Sequence, residues 1–296
     1  MPKLDPFRSP QGGRARFIAQ YDAIVADWPV PCDEFDVETR FGATHVIASG
    51  PESAPPPLVL LHGATATAVM WHSVMAPLSA SHRCYCIDTI TEPNKSALTR
   101  PARGTANLVE WLRQVFGALR IDDAAVAGMS YGGGWLATNL AVQAPELVNR
   151  LILVAPAATL APIPAEFFFR MFSTGLLRSR GLATRFVEWM ASTPDIGTDP
   201  VADLIVTSLV SCRTLRFEVT PPPTVFSDDS LRRIAAPTTL LIGEHEVVYR
   251  TGPRAAMDRA QSLISDVRTS LIPGANHMLT RDNPSALADA MVAALR

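Results

Sequence analysis

The sequence predicts an α/β protein with a mostly parallel central sheet flanked by helices and a helical insertion late in the chain. Three observations predict it. Apolar runs of strand length alternate with stretches whose apolar residues recur at helical spacing, the order that buries a parallel sheet on both faces. The alternation stops between residues 157 and 236, where the chain reads as helix and turn. One strand-to-helix transition carries the tight run Gly128-Met129-Ser130-Tyr131-Gly132.

Taken in order, Phe17 to Trp28 is spaced for a short helix, and residues 35–49 alternate around Gly42 as a hairpin does. The turn-rich PESAPPP leads into Leu58-Val59-Leu60-Leu61-His62, an apolar run suited to a buried parallel strand. Residues 84–88 (CYCID) form the next strand. Leu108, Trp111, Leu112, Val115, Phe116 and Leu119 then mark one face of a helix within 105–120. A strand over 123–128, a helix to about Gln143 and a strand over 151–155 follow. After the insertion come a strand over 239–243, a helix near 253–265, a strand near 267–272 and a closing helix over 285–295. The expected organisation is an N-terminal extension (1–33), a core (34–156 and 237–296) and a helical lid (157–236) above the carboxyl ends of the strands, where open sheets bind ligands.

Composition narrows the function. Of 296 residues, 48% are hydrophobic and 18% charged, enough apolar material for a large core, and the net charge of -2 lacks the basic excess of a nucleic-acid binder. The uncharged stretch 124–145 is long enough to span a bilayer but holds three consecutive glycines and polar residues, so it reads as strand, turn and helix. The opening MPKLDPFRSPQGG has no apolar run of signal-peptide length. Cys32, Cys84, Cys86 and Cys212 form no CxxC pair, and Cys84 and Cys86 share one strand face. They read as free thiols, which places the chain in the cytoplasm. The histidines share no metal-ligand spacing, and no phosphate-binding glycine loop is present.

The chemistry concentrates at Ser130. A serine between Gly128 and Gly132, after a strand and before a helix, sits on a strained turn that only small neighbours permit. Its hydroxyl is held clear of the sheet edge, beside a helix N-terminus that favours negative charge. His277, in Gly274-Ala275-Asn276-His277-Met278, follows a predicted strand and precedes the last helix, where it can reach back to the serine.

These motifs, with Leu60 to Trp71, Leu240 to Tyr249 and Pro273 to Met278, resemble the α/β-hydrolase family in its carboxylesterase and C–C hydrolase branch. The resemblance runs from about residue 34 to the C-terminus. It implies Ser130 as nucleophile, His277 as base, and an acid three residues past Gly243, which is Glu246. Aspartate is commoner there. Glu244 is the rival, and Asp228 and Asp229 precede the strand instead of following it. The resemblance also implies an oxyanion hole from the backbone N–H groups of Ala64 and Tyr131, with His62 a hydrogen-bonded structural residue. It implies no cofactor and no metal. The expected activity is hydrolysis of a small to medium apolar carboxylic ester. C–C, lactone or thioester hydrolysis, or cyclisation, are alternatives on the same triad, and a non-hydrolytic ligand-binding protein is an alternative of another class. The aromatic run Phe167 to Phe172 can roof an acyl pocket or pack the insertion onto the core. Residues 89–96 replace the family's glycine-rich turn, which leaves the substrate open.

Overall fold

The structure, a computed structural model, describes residues 4–52, 56–193, 195–213, 221–222 and 224–296. Parts of the expected PESAPPP loop and of the 157–236 insertion therefore lie outside the described residues. The strands are β1 (Cys32–Thr39), β2 (Gly42–Ser49), β3 (Leu58–Leu61), β4 (Cys84–Ile87), β5 (Ala97–Leu98), β6 (Ala124–Met129), β7 (Val148–Val154), β8 (Thr238–Gly243) and β9 (Val267–Ile272). The helices are α1 (Ala15–Ala26), α2 (His72–Ser79), α3 (Gly104–Leu119), α4 (Leu136–Gln143), α5 (Ala165–Leu177), α6 (Arg180–Trp189), α7 (Pro200–Ser211), α8 (Asp228–Arg232), α9 (Gly252–Leu263), α10 (Leu279–Asp282) and α11 (Pro284–Leu295).

The sheet runs β1-β2-β4-β3-β6-β7-β8-β9, with β5 paired to β2. β1 and β2 form an antiparallel hairpin, β2 meets β4 antiparallel, and every pairing from β4 through β9 is parallel. Thr39 faces Gly42 in the hairpin, so its turn is Arg40-Phe41, and Gly42 opens β2.

Strand periodicity divides the core in two. Leu58, Leu60, Cys84, Cys86, Ala125 and Ala127 point to one face, where they meet α1, α2 and α11. Val59, Leu61, Val126, Leu151 and Leu153 point to the other, against α3, α4 and α9. All of β3 is buried, as its unbroken apolar run requires. Residues before β1 join this core as well: Phe17 and Tyr21 are fully buried. Arg8 N–H donates to the Ser211 carbonyl at 3.0 Å, tying the N-terminal segment to the end of α7. α2 lacks a prior signal in the sequence, because Pro77 interrupts its pattern. It forms because Val74, Met75 and Leu78 pack into the first core face.

Among the described residues of 157–236 the main elements are helices. α7 starts at Asp199, whose carboxylate accepts from Val201 N–H (2.9 Å) and Ala202 N–H (3.1 Å), and Pro200 suits the first turn. α5, α6 and α7 pack against one another, and α7 against α1. Among the described residues no helix is long and apolar enough to cross a membrane.

Candidate active site

The end of β6 delivers Ser130 on a turn that its backbone marks as strained. Ser130 has φ 57°, in the left-handed region that side-chain-bearing residues rarely adopt. The turn closes because its glycines touch backbone: a Cβ on Gly128 would lie 2.2 Å from the Gly133 carbonyl oxygen. One on Gly132 would lie 2.6 Å from the Ala64 nitrogen. The chain then enters a π-helical turn over Ser130–Trp135 before α4.

The Ser130 hydroxyl lies 2.8 Å from His277 Nε2. The other ring nitrogen, Nδ1, lies 2.9 and 3.1 Å from the two carboxylate oxygens of Glu246. The Glu246 side chain is wholly buried, and one of its oxygens also accepts the Val248 N–H at 2.8 Å. Glu244, by contrast, is exposed and accepts the Gly274 N–H at 3.0 Å, away from the imidazole. Asp228 and Asp229 belong to α8, where they pair with Arg259 and Arg232. Buried beside Glu246, Tyr249 keeps its phenol well above the ordinary range, first by burial and second by the carboxylate, so it stays neutral.

Asn276, quoted within the histidine motif but given no role there, holds these loops together. Its side-chain oxygen accepts from His277 N–H (2.8 Å) and Val247 N–H (3.1 Å). Its amide donates to the carbonyls of Trp189 (3.2 Å), the last residue of α6, and Ala191 (3.4 Å) just after it. The histidine loop, the acid loop and the end of α6 thus meet at one side chain. Asp282 backs this junction, accepting from the backbone N–H groups of Asn276 (2.9 Å) and Ser192 (3.0 Å), and burial raises its carboxyl.

The loop after β3 faces the serine. His62 is fully buried and its Nε2 accepts the Thr89 N–H at 2.9 Å. The ring proton therefore sits on Nδ1, which donates to the Gly63 carbonyl at 2.8 Å. A trans peptide points its C=O and N–H to opposite sides, so the bond to Gly63 O also sets the direction of the Ala64 N–H. Among the described residues that N–H has no hydrogen-bond acceptor. Tyr131 supplies the backbone N–H just after the serine. Its phenol donates to the Pro221 carbonyl and is raised by burial and then by Glu92.

A cavity opens over Ser130 and His277, and no charged side chain of the described residues lines it. Met70, Met129, Met190 and Met278 line it together with Phe167, Phe168 and Met171 of α5, Phe186 of α6 and Ile205 of α7. The aromatic run of α5 is split by helical periodicity. Phe167 and Phe168 face the cavity, while Phe169 is 74% exposed and Phe172 54%.

A serine on a strained strand-to-helix turn of a mostly parallel sheet, with a histidine and a buried carboxylate on the loops after later strands, is the arrangement of an α/β hydrolase. The chain belongs to that family: the sequence model of the Alpha/beta hydrolase family matches residues 58–290. The chain is 36% identical over 275 residues to the uncharacterized carboxylesterase nap of Bacillus subtilis, across 91% of this chain and 89% of that one. It is 32% identical to carboxylesterase YbfK of the same organism, across 91% and 90%. The crystal structure of naproxen esterase from Bacillus subtilis superposes with a TM-score of 0.89 at 31% identity, covering 97% of this chain and all of that one.

Proposed function

We propose that this protein is a serine hydrolase that cleaves a carboxylic ester of a small to medium apolar substrate through an acyl-enzyme on Ser130. The observation that carries this is the unbroken relay Ser130 Oγ, His277 Nε2, His277 Nδ1, Glu246, each link at 2.8 to 3.1 Å. Ser130 attacks the ester carbonyl as His277 takes its proton, and Glu246 holds the imidazole with Nδ1 protonated and steadies the imidazolium. The N–H groups of Ala64 and Tyr131 receive the charge on the carbonyl oxygen. His277 then protonates the departing alcohol. Water, deprotonated by the same ring, releases the acid and restores Ser130.

The carboxylesterase names of the relatives support an ester, and the uncharged cavity supports an apolar acyl group. Residues 34–156 and 237–296 act as the hydrolase core and 157–236 as a lid, a reading supported by the residues of α5, α6 and α7 that line the cavity with Ser130 and His277. The test is labelling with a fluorophosphonate followed by peptide mass spectrometry. The expected adduct is on Ser130, lost in His277→Ala, with aryl-ester turnover lost in Ser130→Ala. An unlabelled wild type, together with full turnover by Ser130→Ala, would refute the proposal.

A further inference from the structure

The segment after β4, residues 88–96, makes three hydrogen bonds to the loop that carries Ala64. Asp88 accepts the Ala68 N–H at 2.8 Å. Thr89 N–H reaches His62 Nε2 at 2.9 Å. Glu92 accepts the Thr65 N–H at 3.0 Å through its carboxylate. The segment is itself stiffened. Asp88 also takes the Lys95 N–H at 3.1 Å, Asn94 bonds the Thr89 carbonyl at 2.8 Å, and the Glu92 N–H returns to Thr89 O at 2.9 Å.

Glu92 acts at the most demanding point of that loop. Thr65 has φ 63°, a left-handed conformation costly for a β-branched residue. Ala64 lies between two peptide units. The one before it is held through the Gly63 carbonyl, which accepts from His62 Nδ1 (2.8 Å) and Ala66 N–H (3.2 Å). The one after it is held through the Thr65 N–H, and its side-chain acceptor is Glu92. Without that acceptor the Ala64–Thr65 unit is free to rotate and relieve the strain at Thr65. A change of φ at Thr65 turns the chain on one side of its N–Cα bond against the other, and with the Ala68 N–H held by Asp88 the side that moves carries Ala64 and its N–H.

We propose that Glu92 is a positioning residue for the oxyanion hole: by accepting the Thr65 N–H it holds the loop conformation that aims the Ala64 N–H at the reacting carbonyl. The inference rests on the ester-hydrolase proposal above. Toward the Thr65 N–H, Glu92 supplies an acceptor oxygen, a role that an uncharged amide oxygen can also fill. Acceptor and charge are therefore separable by substitution.

The experiment measures kcat and KM on p-nitrophenyl butyrate, and affinity for a trifluoromethyl ketone that forms a tetrahedral adduct, for Glu92→Ala, Glu92→Gln, Glu92→Asp and Ser130→Ala. Glu92→Ala is expected to lower kcat and ketone affinity together by about tenfold or more, below the roughly hundredfold to thousandfold loss of a whole oxyanion donor. Its KM stays within about twofold, because ground-state binding is untouched. Glu92→Gln keeps an acceptor oxygen and is expected to restore kcat to within about threefold of wild type. If Glu92→Ala does not fold by circular dichroism, Glu92→Asp, which withdraws the acceptor by one methylene, carries the same expectation of lowered kcat. Wild-type kcat in a folded Ala or Asp variant overturns the proposal, as does a Gln variant as impaired as Ala. Ser130→Ala separates the two ideas. If it is inactive while Glu92→Ala is fully active, only the role of Glu92 falls, whereas an active Ser130→Ala removes the hydrolase itself.

Discussion

Replacing Glu246 with glutamine keeps the side chain's size and removes its charge. In the native site one carboxylate oxygen lies 2.9 Å from His277 Nδ1, and the other serves both Nδ1 (3.1 Å) and the Val248 N–H (2.8 Å). All three contacts need an acceptor, so either orientation of the glutamine amide sets its NH2 against a donor. The ring can escape by moving its proton to Nε2, but that tautomer cannot take the Ser130 proton. The charge adds a second loss. With charge centres about 4 Å apart and an effective dielectric of about 20, the carboxylate steadies the imidazolium by about 4 kcal/mol. At about 1.4 kcal/mol per decade, that is roughly a thousandfold in rate. We expect Glu246→Gln to lower kcat by about a thousandfold to ten-thousandfold with little change in KM. Glu244→Gln, exposed and still able to accept the Gly274 N–H, should stay within about threefold. The assay is initial-rate kinetics on an aryl ester, with circular dichroism melting to verify the fold. A Glu246→Gln rate within tenfold of wild type, or a larger loss in Glu244→Gln, would refute this assignment of the acid.

Further expectations come from the packing. Gly132→Ala places a methyl against the Ala64 nitrogen and Gly63 carbonyl carbon, at 2.6 and 2.7 Å. It should destabilise the fold by about 1–3 kcal/mol, seen as a lower denaturation midpoint, and reduce kcat. Undiminished activity and stability would mean that the elbow does not need its close approach. Burial pushes the Cys84 and Cys212 thiols up to about 12 and holds Cys86 well above its usual range, so native protein at neutral pH should react with a thiol reagent slowly and at half-buried Cys32 first. Rapid modification of Cys86 in folded protein would contradict that burial. Asp282, raised by burial, has a folded pKa above its unfolded one. Its contribution is fully present below the unfolded pKa and is lost as pH rises through the folded pKa. The urea midpoint of wild type relative to Asp282→Asn should therefore shift in wild type's favour as pH falls from about 7 toward the carboxylate range, and the opposite slope would reverse the sign assigned.

Much of this was legible in one dimension because the relevant physics is local. Strand and helix periods are carried by neighbouring side chains, so β3, α3 and the segments flanking Ser130 were readable from their apolar spacing. The elbow was legible for the same reason: its glycines and serine are contiguous, and steric crowding at a sharp turn leaves few residue types able to occupy it. The order serine, acid, histidine pointed to Glu246 and His277, although residues 130 and 277 stand 147 positions apart.

Other features required the fold. Composition cannot tell Glu244 from Glu246. The turn after β8 buries one against the imidazole and leaves the other in solvent. The aromatic run of α5 divides between cavity and surface only once the helix docks. Asn276 and Glu92 look like ordinary loop residues, and each matters through backbone groups delivered from distant segments: Val247 and Trp189 to the first, Thr65 to the second. The amino-acid order by itself determined most of the strands and helices, α2 excepted, and which side chains can do chemistry, because those depend on bond geometry and near-neighbour pattern. Which carboxylate meets the imidazole and which loop bonds the Thr65 N–H were decided in three dimensions. Hydrogen bonds act over about 3 Å, and only folding brings residues so distant along the chain that close.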